Sequence, residues 1–385
     1  MKILQVTSSL SGGAGISANL LHQGLKFAGH ESILISRQSN FHSFKPQDQF
    51  LSRVNTVLNE AFTRRDYVFT SPASVQLIDP EYLLSLESDV IHIHNWYNML
   101  SWHSIERLIS TGRVVLTMHD SRLLSGGCHV LLGCKNYLES CNSCPAVYWG
   151  KSRIRRSKQE IEKTFRSKSN FRVITPSKWL AREFRATYES TFVHTIENLV
   201  HPLFQQAFKP RTNIALKKIL FVASNLDAPF KGLRLLVESL NILALTGVRM
   251  QLTVVGNGSA KILEEANFEV ICHSEVSAEA LIKIYHENHL LVVPSLSDNF
   301  PGVVREAQLC GIPVLGTDVG GIGEMIVDGK TGFLCSPNVE SLIKKLMEAT
   351  VADLSVIATD ARKYIGDEKS NDDLIAAHLG IYDEI

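Results

Sequence analysis

The chain has 385 residues, more than one hydrophobic core usually serves, and its 45% hydrophobic content supplies enough apolar material for two. Lysine and arginine together number 39, as do aspartate and glutamate, so no net field draws the chain to nucleic acid or an acidic polymer. Met1-Lys2-Ile3-Leu4-Gln5-Val6-Thr7 lacks the basic and long apolar parts of a secretory leader, and no apolar run is long enough to cross a bilayer, so a cytoplasmic protein is expected. Taken in chain order, Lys2–Thr7 predicts a strand and Ile16–Ala28 a helix. Further strands are predicted over Ser32–Ser36, Val90–His94, Arg113–Met118, Arg172–Thr175 and Phe192–Ile196. These runs are rich in Val, Ile and Leu without clean alternation, which fits strands buried on both sides of a parallel sheet.

Asn198–Asn213 holds Pro202 and Pro210 without a clear period and reads as a linker. The pattern then restarts, with strands expected over Lys218–Ala223, Gln251–Val255, Leu290–Val293 and Pro313–Gly316. The intervening helices are expected over Leu233–Leu245, Ala278–Glu287 and Val303–Cys310. The fold class is therefore α/β, with two Rossmann-like domains over residues 1–200 and 201–367 and a C-terminal helix over 368–385 returning to the first. Two doubly wound sheets in succession predict a cleft at the carboxyl ends of their strands.

Three stretches carry candidate chemistry. Ser11-Gly12-Gly13-Ala14-Gly15 follows the first strand, where glycines let backbone N–H groups approach an anion at a helix start. A plain strand-to-helix turn is the alternative. Asp227-Ala228-Pro229-Phe230-Lys231-Gly232 sets a cation at a second strand-to-helix junction. Pro294-Ser295-Leu296-Ser297-Asp298-Asn299-Phe300-Pro301-Gly302-Val303-Val304-Arg305-Glu306-Ala307 brings one carboxylate before a helix and another about one turn inside it. Unpaired N–H groups at that helix start suit a diphosphate, and carboxylates suit sugar hydroxyls. The ordinary alternative makes Asp298 a helix cap and Glu306 a surface charge.

The last stretch resembles the E-x7-E segment of the retaining glycosyltransferases of family 4, with Asp298 in place of the first Glu. Its Asp-Asn-Phe-Pro form is similar to a variant in bacterial polysaccharide enzymes. Other segments match in order: Gly12 to Gly15, His119-Asp120, Thr175-Pro176-Ser177-Lys178-Trp179-Leu180, Glu197-Asn198, Lys231-Gly232, Gly320-Gly321-Ile322-Gly323-Glu324 and Asp328-Gly329-Lys330-Thr331-Gly332-Phe333-Leu334. The resemblance implies the GT-B fold, two Rossmann-like domains facing each other across a cleft, and transfer with retained anomeric configuration.

It further implies that His119, Lys231, Asp298 and Glu306 are catalytic. Gly13, Asn225, Asn299, Phe300, Pro301, Gly302, Val303 and Val304 would line the donor and its diphosphate, and Ser274, Glu275 and Val276 the nucleotide base. Asn225 departs from the pattern, since many relatives carry Arg there; Arg305 is a candidate substitute if it does not face solvent. A UDP- or GDP-sugar donor and a saccharide or lipid-linked acceptor are expected in cell-surface polysaccharide synthesis, including lipopolysaccharide, with no nucleic acid. No Asp-x-Asp motif occurs, so no catalytic metal is expected. The rival readings are a nucleotide-sugar epimerase or glycogen-type synthase of the same fold, a non-catalytic sugar-binding module, and a nicotinamide oxidoreductase.

Two features stand apart. Cys128, Cys134, Cys141 and Cys144 fall within seventeen residues, the last two as C-x2-C. That pattern fits a structural zinc, with free thiols or a redox pair as alternatives. Lys151 to Arg172 is strongly basic beside Tyr148 and Trp149. It reads as a solvated helix face or as peripheral contact with anionic lipid at the inner face of the plasma membrane.

Overall fold

The computed structural model describes residues 1–37, 77–189, 192–212, 215–366 and 370–385, with residues 54, 57, 63 and 64. Asn213, the last residue of the expected linker, and residues 367–369, at the expected start of the final helix, lie outside the described residues. Contacts divide the chain into two units, Met1–Leu199 with Asn371–Ile385, and Val200–Ser370.

The first unit is a six-stranded parallel sheet. Its strands are β1 (Lys2–Thr7), β2 (Glu31–Ile35), β3 (Val90–Asn95), β4 (Val114–Thr117), β5 (Phe171–Thr175) and β6 (Val193–Thr195). Their order is β2-β1-β3-β4-β5-β6. Every residue of β3 is buried, as a strand covered on both faces requires. Alternation then sorts the side chains. Leu4, Val6, Ile91, Ile93, Leu116 and Val173 pack with helices Trp102–Ile109 and Lys178–Tyr188. Ile3, Val90, Val115 and Ile174 pack with Leu21 and Leu25 of helix Gly12–Phe27 and Leu374 of helix Asn371–Tyr382. The first helix begins at Gly12 rather than Ile16, so the glycine run is a helical turn and not a free loop. Gly15 is what permits this early start. A Cβ there would stand 2.3 Å from the Ser9 carbonyl oxygen.

The second unit is another six-stranded parallel sheet, built from β7 (Lys218–Asn225), β8 (Gln251–Asn257), β9 (Val270–His273), β10 (Leu290–Val293), β11 (Val314–Thr317) and β12 (Phe333–Cys335). The order is β12-β11-β10-β7-β8-β9. The sequence pattern named four of these. The two it left out, β9 and β12, are the edges: β9 is half exposed and β12 has three residues. Neither shows the continuous apolar run of a central strand. The expected linker contains a helical turn, Pro202–Gln205. Among the described residues no helix is long and apolar enough to cross a membrane.

Candidate functional site

The segment after β10 is held by two neighbouring stretches, the loop after β7 and the end of β11 with the loop that follows it. Leu296 N–H donates to the Phe230 carbonyl at 2.7 Å, and Gly321 N–H to the Asp298 carbonyl at 3.2 Å. Thr317 Oγ1 donates to the Ser295 carbonyl at 2.5 Å. Two glycines let the backbones meet. A Cβ on Gly232 would lie 1.9 Å from the Pro294 oxygen, and one on Gly320 1.7 Å from the Asp298 oxygen; both have positive φ. Lys231 Nζ thereby reaches Asp298 Oδ2 at 2.7 Å, with Ser295 Oγ donating to the same oxygen at 3.3 Å. The two charged side chains are 26% and 13% exposed, so the pair is largely but not fully withdrawn from water. The sequence singled out both residues but not their pairing, nor Ser295.

Helix Gly302–Cys310 starts just beyond this pair, and its N-cap residue, Pro301, gives it no side-chain cap. Its first N–H groups carry partial positive charge. Gly302 is exposed there, Asn299, Phe300 and Val303 are half-buried, and Pro301 and Val304 are buried. Glu306 is no surface charge. It turns back along its own helix and accepts from Tyr285 Oη at 3.1 Å. Burial pushes its carboxyl up to about 7, against the opposing pull of that hydrogen bond. Tyr285 is fully buried and was missed, because an aromatic in an amphipathic helix reads as core.

Other candidates stand differently. Arg305 is buried at 5% exposure and does not face solvent. Asn225 is exposed, and its Oδ1 accepts from the Asp227 N–H at 3.0 Å, so it shapes its own turn. Ser274 and Glu275 lie exposed after β9, where Glu275 bonds Asn257 through its N–H (3.3 Å) and accepts from the Asn257 amide (2.8 Å). Val276 packs against the same cluster as Phe300 and Val303.

In the first unit, Gly13 is exposed in the first turn of its helix. His119 ends a buried chain that the sequence analysis did not foresee. His119 Nε2 is 3.1 Å from His94 Nδ1, and His94 Nε2 is 2.6 Å from Gln5 Oε1. The Gln5 amide faces Tyr382 Oη at 3.4 Å, and that hydroxyl meets His92 Nδ1 at 2.7 Å. As assigned, Gln5 Oε1 only accepts. His94 Nε2 must then donate, its Nδ1 accepts, and His119 carries its proton on Nε2. Burial keeps these rings neutral: His119 and His378 fall to about 4, and His92 and His94 well below the usual range. A visible clue existed in Val90-Ile91-His92-Ile93-His94, where two imidazoles share one face of a strand with no solvent side. Beside His119, Asp120 pairs with Arg122 and, at 3.2 Å, with His129. Burial opposes its ionisation, but the Arg122 guanidinium wins and holds the carboxyl well below the carboxylate range. Arg122 itself lies over the Tyr97 ring at 3.5 Å.

Cys128, Cys134, Cys141 and Cys144 line one small cavity of this unit. The basic stretch forms helix Lys151–Ser167. It is not uniformly solvated: Lys158 is fully buried, 3.4 Å from Glu162 and 3.2 Å from Tyr188 Oη.

Two family models match the chain in succession, Glycosyltransferase Family 4 over residues 11–202 and Glycosyl transferases group 1 over residues 217–351. The chain belongs to the family 4, group 1 glycosyltransferases. The D-inositol 3-phosphate glycosyltransferase of Arthrobacter sp. (strain FB24) is 30% identical over 167 residues, 39% of this chain and 39% of that protein. The match thus spans about two fifths of that relative's length. Sucrose-phosphate synthase from Thermosynechococcus elongatus superposes with a TM-score of 0.72 at 16% identity, covering 100% of this chain and 99% of that one. HepE of Anabaena, solved with UDP-glucose, gives 0.66 at 16% identity and 99% coverage of both. These likenesses show the GT-B fold, as the sequence led one to expect.

Proposed function

We propose that this member of the family is a retaining transferase. It would move a hexose from a UDP- or GDP-sugar to a saccharide or lipid-linked saccharide in cell-surface polysaccharide synthesis. The observation that carries the reading is the Lys231–Asp298 pair beside the uncapped start of helix Gly302–Cys310. A cation and helix-end amides there suit a pyrophosphate, and Asp298 and Glu306 suit hydroxyls of the sugar and ribose. Lys231 would pass from Asp298 to the departing diphosphate, leaving Asp298 to accept from a donor hydroxyl. The acceptor is assigned to the first unit, near Gly13 and His119. Neutral His119, fixed as the Nε2 tautomer, would orient a hydroxyl rather than offer a charge. The departing phosphate takes the acceptor proton on the face it leaves, so no protein nucleophile or metal is given a part. The solved Anabaena neighbour binds UDP-glucose, which favours uridine as the base.

A thermal-shift panel of nucleoside diphosphates and their sugars tests this. A donor at 100 times its Kd is expected to stabilise the chain by about 2.7 kcal/mol. Product anomers read by NMR should retain the donor configuration. No shift with either UDP or GDP at millimolar concentration would sink the reading.

The exposed Arg153, Arg155 and Arg156, with Trp149 at 73% and Tyr148 at 56% exposure, support peripheral contact with anionic lipid. Flotation with phosphatidylglycerol vesicles at physiological salt is expected to carry the protein, and replacing the three arginines with Ser to abolish it. Wild-type protein left at the bottom of the gradient rejects the contact.

A further inference from the structure

We propose that Cys128, Cys134, Cys141 and Cys144 bind a structural zinc ion that cross-links the irregular segment after His119-Asp120 within itself. The four side chains surround a cavity of about 10 Å³, room for a single small atom. Between Ser121 and Gly150 the backbone forms only two short 3-10 turns, yet Val130, Leu131, Tyr137, Ala146 and Val147 are buried. Long irregular segments with an ordered interior need a cross-link, and thiolate-bound zinc is a common one.

Hydrogen-bond donors lie against three of the four sulfurs. The Gly126 amide donates to Cys141, the Ala146 and Val147 amides to Cys144, and the Ser125 side chain is hydrogen-bonded to Cys128. Such bonds favour thiolates and orient them for a metal. Buried Lys158 acts electrostatically on Cys141, and Lys151 on Cys144. Lys158 also pairs with Glu162 and lies against the Tyr188 hydroxyl and ring. A tetrathiolate zinc centre carries two net negative charges, which these two cations would offset. Among the described residues no group of three or more His, Cys, Asp or Glu is already placed to hold a metal, so binding needs the four side chains to close in. Loading would bind the four sulfurs as thiolates, release to solvent whichever protons they still carry, and draw them onto the cavity centre. With every coordination position filled by sulfur, the ion has no place for substrate.

The test uses the full chain purified without chelator. About one zinc per chain is expected by elemental mass spectrometry, and replacement by cobalt should give the intense visible bands of tetrahedral thiolate coordination. Cys141→Ser and Cys144→Ser are expected to lose the metal, and Cys272→Ser, at an exposed thiol, to keep it. If the first two variants do not fold, the wild-type metal content and the cobalt spectrum still decide. Wild type that takes up no zinc under reducing conditions, or a Cys128–Cys144 disulfide in freshly isolated protein, would overturn the proposal.

Discussion

Lys231→Ala is expected to lower kcat by about 10²–10³-fold, the usual consequence of removing one preorganised group from a charge-developing site. The cation stands at the proposed pyrophosphate position because Gly232 lets its loop meet Pro294 and because Asp298 holds the ammonium at 2.7 Å. The ion pair is partly exposed, and such pairs contribute about 0–1 kcal/mol to stability, so the variant should fold and melt close to wild type. Lys231→Arg should recover part of the rate, since charge returns but the point geometry does not. Diphosphate release, with the donor that the thermal panel identifies, measures the effect. A kcat within about threefold of wild type, against the expected loss, removes Lys231 from the mechanism.

Glu306→Gln separates binding from stability by pH. In the folded chain the carboxyl titrates at about 7, against 4.5 for the free side chain. A carboxyl raised in this way adds stability that is complete below 4.5 and is lost as pH rises through about 7. Glu306→Gln should therefore melt higher than wild type at pH 8 and show no gain at pH 4. Donor affinity runs the other way. The ionised carboxylate is the better acceptor for ribose hydroxyls, and charged hydrogen bonds exceed neutral ones by about 1 kcal/mol. Wild-type affinity is expected to drop several-fold between pH 8 and pH 6, and the Gln variant to bind weakly at both. Tyr285→Phe removes the bond that pulls the carboxyl down, so its midpoint should move upward. Calorimetric titration with UDP across pH reads all three proteins. A flat wild-type profile would detach Glu306 from the donor.

Central strands were legible because β4 and β10 are apolar on both faces and β3, though it carries two imidazoles, alternates Val and Ile into a buried run, as a covered parallel strand needs. The edge strands β9 and β12 were not, because one side of each has no neighbour and their side chains are mixed. Individual site residues could be named from short motifs, since Lys231-Gly232 and the Asp298 to Glu306 spacing are local. Their partners could not. Lys231 meets Asp298 across 67 positions and Glu306 meets Tyr285 across 21, distances over which only the folded sheet dictates contact. The glycine run misled in detail, because a tight approach to the Ser9 carbonyl favours a helix start over an open loop. The matched family models fix where the chain belongs; what Asn225 does in place of an arginine is visible only as a turn contact.

Synthesis of the chain inherits a delay from the last helix. Gln5 and His92 complete their hydrogen bonds with Tyr382, 377 and 290 residues further on. β1 and β3 are therefore among the first strands to leave the ribosome and among the last to be finished. Until Asn371–Tyr382 emerges, the apolar surface of Ile3, Val90 and Val115 lacks part of its cover, and Gln5 and His92 lack their shared hydroxyl. The second unit, continuous from Val200 to Ser370, can close on itself meanwhile. The nascent first unit must be shielded from aggregation for as long as the ribosome needs to make the other.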